Sequence, residues 1–179
     1  MTDYLVISAL GTDKPGIINE LSRQATTQGC NILDTRMTVL GGEFALLMMV
    51  SGSPQQIDAL QPDIKSAAES LGLTVMLKRT TPKEEQSANL PYSVQVVALD
   101  NPGIVHDIAK FFGDKHINIE EMHTGTYAAA HTGTPMFSLE MTVNIPSSVA
   151  LASLKDEFVG FCDDKNLDAS IEAYRGSNK

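Results

Sequence analysis

The residues best suited to chemistry are Asp13-Lys14-Pro15-Gly16-Ile17 and Asp100-Asn101-Pro102-Gly103-Ile104, two versions of one motif. Each is followed by an Asn-Ile pair, Asn31-Ile32 and Asn118-Ile119. Pro15 and Pro102 fix φ near the start of a helix and give up an N–H that would be unpaired there anyway. Gly16 and Gly103 remove a side chain, so a ligand can approach the backbone closely. The free N–H groups of a helix's first turn, at the positive end of its dipole, suit a carboxylate. Asp13 or Asp100 can accept from an ammonium group, and Asn31 and Asn118, opening the adjacent strand, offer both a donor and an acceptor. Carboxylate at a helix start and ammonium at oxygen acceptors are the requirements of an α-amino acid site. The same residues also make a plain strand-to-helix turn, with Asp as cap and Asn as turn former. Lys14 stands where the second copy has Asn101, so the two sites need not be equivalent.

The elements that must position these residues are themselves written twice. Asp13 to Ile18 returns at Asp100 to Val105, and Asn31-Ile32 returns at Asn118-Ile119, both 87 positions on. Phe44-x-Leu46-x-Met48-x-Val50 matches Phe137-x-Leu139-x-Met141-x-Val143, 93 positions on, so the second copy gains six residues within Gly125–Pro135. Two blocks at one offset and a third after a local insertion mark a repeated structural unit.

In the first copy Tyr4–Leu10 reads as a strand, and a helix follows with Ile17, Ile18, Leu21 and Ala25 at helical spacing, ended by Gly29. Asn31–Leu40 and Glu43–Val50 form a hairpin across Gly41-Gly42. The second helix carries Ile57, Leu60, Ile64, Ala67 and Leu71, with Pro62 predicting a kink or a late start. Thr74–Arg79 is the last strand. The second copy repeats the order: strand Tyr92–Leu99, helix Gly103–Lys115 with Ile104, Val105, Ile108 and Phe112 inward, and strands Ile117–Tyr127 and Met136–Ile145. A helix over Ser147–Lys165, with Val149, Leu151, Leu154, Phe158 and Phe161 inward, and a strand over Leu167–Tyr174 complete it. This divides the chain into a first domain over 1–79, a linker over 80–91, a second domain over 92–175 and a tail over 176–179.

The order strand, helix, strand, strand, helix, strand predicts an α+β class: two tandem ferredoxin-like βαββαβ sandwiches, each an antiparallel sheet with two helices on one face. The other face must meet water or a partner. In the second copy its residues are Ser138, Glu140 and Thr142, whereas in the first they are Ala45, Leu47 and Met49. An apolar outer face is an interface signal, covered by the other domain, another subunit or a partner. A homodimer is the expected assembly.

Charge and composition remove whole classes of function. The net charge is −9, with −3 in residues 1–90 and −6 in residues 91–179, and neither half carries the basic patch that nucleic-acid binding requires. No apolar run reaches the ~18–20 residues of a membrane span, and the N-terminus lacks the basic start of a secretory signal. Cytoplasmic localisation is expected. Cys30 and Cys162 are the two cysteines, too far apart in sequence for a metal pair, and they read as small buried hydrophobes. His106, His116, His123 and His131 all fall in the second copy beside Glu120 and Glu121, without the spacing of a metal hydrolase. No nucleotide-binding or nucleophile-elbow motif occurs, so no metal, no cofactor and no enzymatic activity is expected.

Taken together, Asp-x-Pro-Gly-[Ile/Leu]-[Ile/Val] after a first strand, then a helix and Asn-Ile at the next strand, resembles the ACT domain. The likeness covers nearly the whole chain, twice. A chain of two such domains is more specifically similar to the glycine cleavage system transcriptional repressor group. That resemblance implies a non-enzymatic regulator that restrains a DNA-binding activator by protein contact, with glycine as the ligand relieving it. The alternative is a ligand-independent assembly adaptor, or a regulatory subunit of an enzyme of amino-acid or one-carbon metabolism. For an adaptor, the insertion over Thr126–Pro135 is where a partner contact would be added.

Overall fold

The computed structural model describes residues 2–82 and 89–174. The chain divides into two compact units, residues 1–84 and 85–179, each with its own core. The first unit runs β1 (Asp3–Thr12), α1 (Ile17–Thr27), β2 (Asn31–Leu40), β3 (Glu43–Gly52), α2 (Pro54–Leu71) and β4 (Thr74–Thr80). The second runs β5 (Asn89–Leu99), α3 (Ile104–Asp114), β6 (Asn118–Ala128), β7 (Pro135–Pro146), α4 (Leu151–Asp163) and β8 (Asp168–Ala173). Their sheets are antiparallel, ordered β2-β3-β1-β4 and β6-β7-β5-β8. The expected pair of βαββαβ sandwiches is what forms.

Alternation decides which side of each sheet is covered. In β3, Phe44, Leu46, Met48 and Val50 are buried, and they meet Ile17, Leu21 and Ala25 of α1 and Ile57, Leu60 and Ile64 of α2 in the first core. The second core repeats this with Phe137, Leu139, Met141 and Val143 of β7 against Ile108 and Phe112 of α3 and Leu154 and Phe158 of α4. Phe111, Phe112, Phe158 and Phe161 stack there with ring centroids 5.1–5.2 Å apart. Cys30 and Cys162 are both buried free thiols, and burial pushes the Cys162 thiol up to about 11.

Several sequence expectations change. Val105 is not inward but 40% exposed, because α3 buries only the stripe Ile104, Ile108 and Phe112. α2 does not start late: it begins at Pro54 and continues through Pro62. Its start is fixed by a capping box in which Ser53 Oγ accepts from the Gln56 N–H at 3.3 Å and Gln56 Oε1 accepts from the Ser53 N–H at 2.7 Å. α4 is shorter than expected, starting at Leu151, with Val149 packed against the core from outside the helix. Of the expected linker, Thr80 closes β4, Asn89–Pro91 belong to β5, and residues 83–88 lie outside the described residues, as do tail residues 176–179. The second hairpin gains one residue in each flanking strand and replaces the Gly41-Gly42 turn by residues 129–134, closed by Ala129 N–H to Thr134 O at 2.9 Å.

Candidate functional site

The Asp-x-Pro-Gly turn sits at the same place in both units, between the end of the first strand and the first helix. Each turn is pinned to the neighbouring hairpin: the Asp13 N–H donates to Gly42 O at 3.0 Å, and the Asp100 N–H to Pro135 O at 3.1 Å. Gly16 and Gly103 occupy the helix N-cap positions with φ of 95° and 100°. That left-handed backbone is what requires glycine, since a Cβ at either position would meet nothing within 4 Å. Having no side chain, each glycine leaves the first-turn N–H groups of its helix without a side-chain cap. Asp13 and Asp100 are exposed, and neither carboxylate has a hydrogen bond or ion pair among the described residues. Neither therefore caps its helix. Lys14, Pro15, Asn101 and Pro102 are also exposed, while Ile17 and Ile104 anchor the turns in the two cores.

Asn31 and Asn118 are elsewhere. β2 is not adjacent to β1; β3 lies between them, so β1 and β2 run in the same direction. Asn31 opposes Ser51, which opposes Tyr4 at the start of β1, whereas Asp13 follows the end of that strand. The nine residue steps from Asn31 to Leu40 span about 30 Å. Asn118 is likewise level with Asn144 and Pro91, far from Asp100. Within one unit, then, the turn and the Asn-Ile pair lie at opposite ends of the sheet. Ile32 and Ile119 are half-buried and pack on the cores, and the register shifts just after each, between Ile32 and Asp34 and between Ile119 and Glu121. The same bulge at the same place in both copies shapes the start of each edge strand. The Asn118 amide donates to Glu120 Oε1 at 2.6 Å.

Beside the second turn is an open cleft of about 530 Å³. Its walls are Ala98 and Leu99 of β5, Asn101, Pro102 and Ile104 of the turn, Asp107 of α3, and Lys165, Asn166 and Leu167 between α4 and β8. The Lys165 ammonium donates to Asp107 Oδ2 at 2.8 Å and lies 5.3 Å from the centre of the Phe161 ring. That hydrogen bond holds the Asp107 carboxyl below its ordinary range. The Asn101 amide donates to Leu99 O at 3.3 Å.

Sequence reasoning missed Asp107, Lys165 and Asn166. The available signal was the alignment of the helix ends: Asn166 and Gly72 both adopt left-handed backbone, with φ of 56° and 72°. The first unit closes this region differently. A Cβ on Gly11 would come within 2.8 Å of Leu73 Cδ2 and 3.0 Å of Gly72 O, so the α2–β4 turn rests directly on Gly11. Ala98, in the matching register position, carries a Cβ and lines the cleft together with Asn166 and Leu167 of the α4–β8 turn.

Among the described residues no group of three or more His, Cys, Asp or Glu side chains could hold a metal ion. Nor, among the described residues, is any helix long and apolar enough to cross a membrane.

Residues 3–78 match the ACT domain family. The chain is 33% identical over 168 residues to the glycine cleavage system transcriptional repressor of Escherichia coli (strain K12), covering 94% of this chain and 88% of that protein. A crystal structure named for the same repressor superposes with a TM-score of 0.75 at 31% identity, covering 98% of this chain and 99% of the other. A protein of unknown function from Galdieria sulphuraria shares the fold with a TM-score of 0.84 at 24% identity, over 97% of this chain and 99% of its own. The duplicated Asp-x-Pro-Gly unit, its sheet order and these full-length matches agree: the chain belongs to the glycine cleavage system transcriptional repressor family and is built from two ACT-type βαββαβ units.

Proposed function

We propose that this protein is a non-enzymatic cytoplasmic regulator that senses a small amino acid, glycine first among candidates, and represses transcription through a DNA-binding activator rather than by touching DNA. The observation that carries the reading is the duplicated turn itself. In both copies a carboxylate with no partner among the described residues stands beside a helix start left uncapped by glycine. A ligand carboxylate satisfies first-turn N–H groups that lack a capping side chain, and its ammonium is met by Asp13 or Asp100. The link to transcription is supported by the name of the E. coli relative, and the indirect route by the −9 net charge, which repels a polyanion.

The site is small and exposed, which sets its strength. Glycine has about five heavy atoms, and about −1.5 kcal/mol for each is the ceiling, so affinity is micromolar at best. Such a site follows a metabolite pool; it does not retain a cofactor. Because Asn31 and Asn118 lie at the far end of their own sheets, a ligand as small as glycine held at a turn does not reach the Asn of the same unit. The two copies are unequal in this reading. The second offers the Lys165 ammonium and a formed cleft beside its turn, and it is the copy expected to bind more tightly.

A thermal-shift series with glycine, serine, alanine and the branched-chain amino acids tests the proposal. A concentration-dependent rise in melting temperature with a small amino acid supports it. A flat response to all of them favours the assembly adaptor, or the regulatory subunit of an enzyme, in which these turns serve only as structure.

A further inference from the structure

We infer that the helix-free face of the first sheet is a homodimer surface, on which two copies of this chain stack face to face about a two-fold axis parallel to the strands. The inference concerns a surface distinct from the turns and stands independently of any ligand.

The face is apolar where its counterpart is polar. Leu47, Met76 and Leu10 are 52%, 67% and 53% exposed, and Val6, Ala45 and Met49 lie between them on the same side. On the second sheet the same side carries Glu121, Glu140, Glu172, Gln95 and Ser170. A second copy of the apolar face covers its hydrophobic side chains without taking the carboxylates of that acidic face out of water.

Register supplies the charge complementarity. One row across the first sheet reads Asp34, Met49, Val6, Lys78 from edge to edge. The next reads Arg36, Leu47, Ser8, Met76. A two-fold axis along the strands reverses each row, so Asp34 faces Lys78 of the other copy, and Met49 faces Val6. Two symmetric ion pairs then close the opposite edges of an apolar centre. Asp34 lies 3.5 Å from Arg36 of its own strand, and Lys78 is exposed with no ion pair among the described residues, so the other copy's lysine joins an existing pair. Sheets pack about 10 Å apart with strands nearly aligned, which suits these side chains. Four strands at about 4.8 Å and about seven residues at 3.4 Å give a face near 500 Å² per copy. The total of about 1,000 Å² is at the lower bound of a specific interface, so the dimer should dissociate on dilution.

The experiment is sedimentation equilibrium of the full chain over a wide concentration range. The expected result is twice the 19.3 kDa chain mass at high concentration, falling towards the single-chain mass on dilution. Leu47→Glu, at a position already half-exposed, should remain folded by circular dichroism and be monomeric throughout. Asp34→Lys and Lys78→Asp should each weaken the dimer at least tenfold, and the double exchange should recover most of that loss. Ser138→Glu, on the polar face of the second sheet, should leave the mass curve unchanged. A wild-type chain that is monomeric at its solubility limit overturns the proposal. So does a dimer that survives Leu47→Glu, and a double exchange that recovers nothing overturns the two-fold register.

Discussion

At the residue scale, backbone conformation and exposure separate residues that shape the turn from residues free to bind. Gly16 and Gly103 are shape: with φ near 95–100° and open space around each Cα, their replacement costs backbone strain alone. Gly103→Ala is expected to destabilise the second unit by about 1–2 kcal/mol in urea unfolding, with no steric clash to relieve. Asp13 and Asp100 are the reverse case, exposed and unpartnered, so Asp→Ala at either should change stability little while removing ligand affinity. The cysteines give a third residue-level expectation. Burial raises both thiols above their ordinary range, Cys162 to about 11 with a further push from Asp163. The thiolate is the reactive species, so native protein at pH 8 should react with a disulfide reagent far more slowly than the unfolded chain. Rapid native labelling of both would contradict the buried assignment. The motif residues were legible in the sequence because proline, glycine and aspartate each have a local physical role. Lys165 and Asp107 were not, because their meeting depends on two segments 58 residues apart being folded together.

At the element scale, the sequence carried the elements but not their neighbours. Periodicity placed the eight strands and four helices, since buried residues recur every second position in β3 and β7 and every fourth in α1 and α3. Strand order is a different kind of information. Nothing local says that β3 lies between β1 and β2, and that insertion is what separates Asn31 from Asp13. Cap chemistry also outweighed a breaker: the Ser53–Gln56 box starts α2 eight residues before Pro62. Gln56 further donates to Gly29 O at 3.1 Å, joining the start of α2 to the end of α1. Ser53→Ala should therefore cost about 1 kcal/mol of the first unit's stability, measured by urea unfolding. Gly11→Ala should cost about 1–3 kcal/mol, because its Cβ falls on Leu73 and on the Gly72 carbonyl. The reciprocal Ala98→Gly removes a methyl of the second core that also lines the cleft, and its effect on ligand binding would report how far the cleft depends on that methyl.

At the scale of the whole molecule, duplication is the governing fact. Two units with separate cores give two turns and two outer faces, and divergence has made each pair unequal. One outer face is apolar and the other acidic; one turn has a lysine at its second position and the other a cleft with a lysine beyond it. Under the proposed indirect route, the chain with its net charge of −9 should not shift duplex DNA in a gel at low salt, where any electrostatic attraction would be strongest. The central claim is that the Asp-x-Pro-Gly turns are amino-acid sites. Calorimetric titration of glycine into the wild type, Asp13→Ala, Asp100→Ala and the double variant tests it most directly. Saturable micromolar-to-millimolar binding is expected, reduced more by Asp100→Ala than by Asp13→Ala and abolished in the double variant. Saturable binding that persists unchanged in the double variant, or no binding in the wild type, would contradict it.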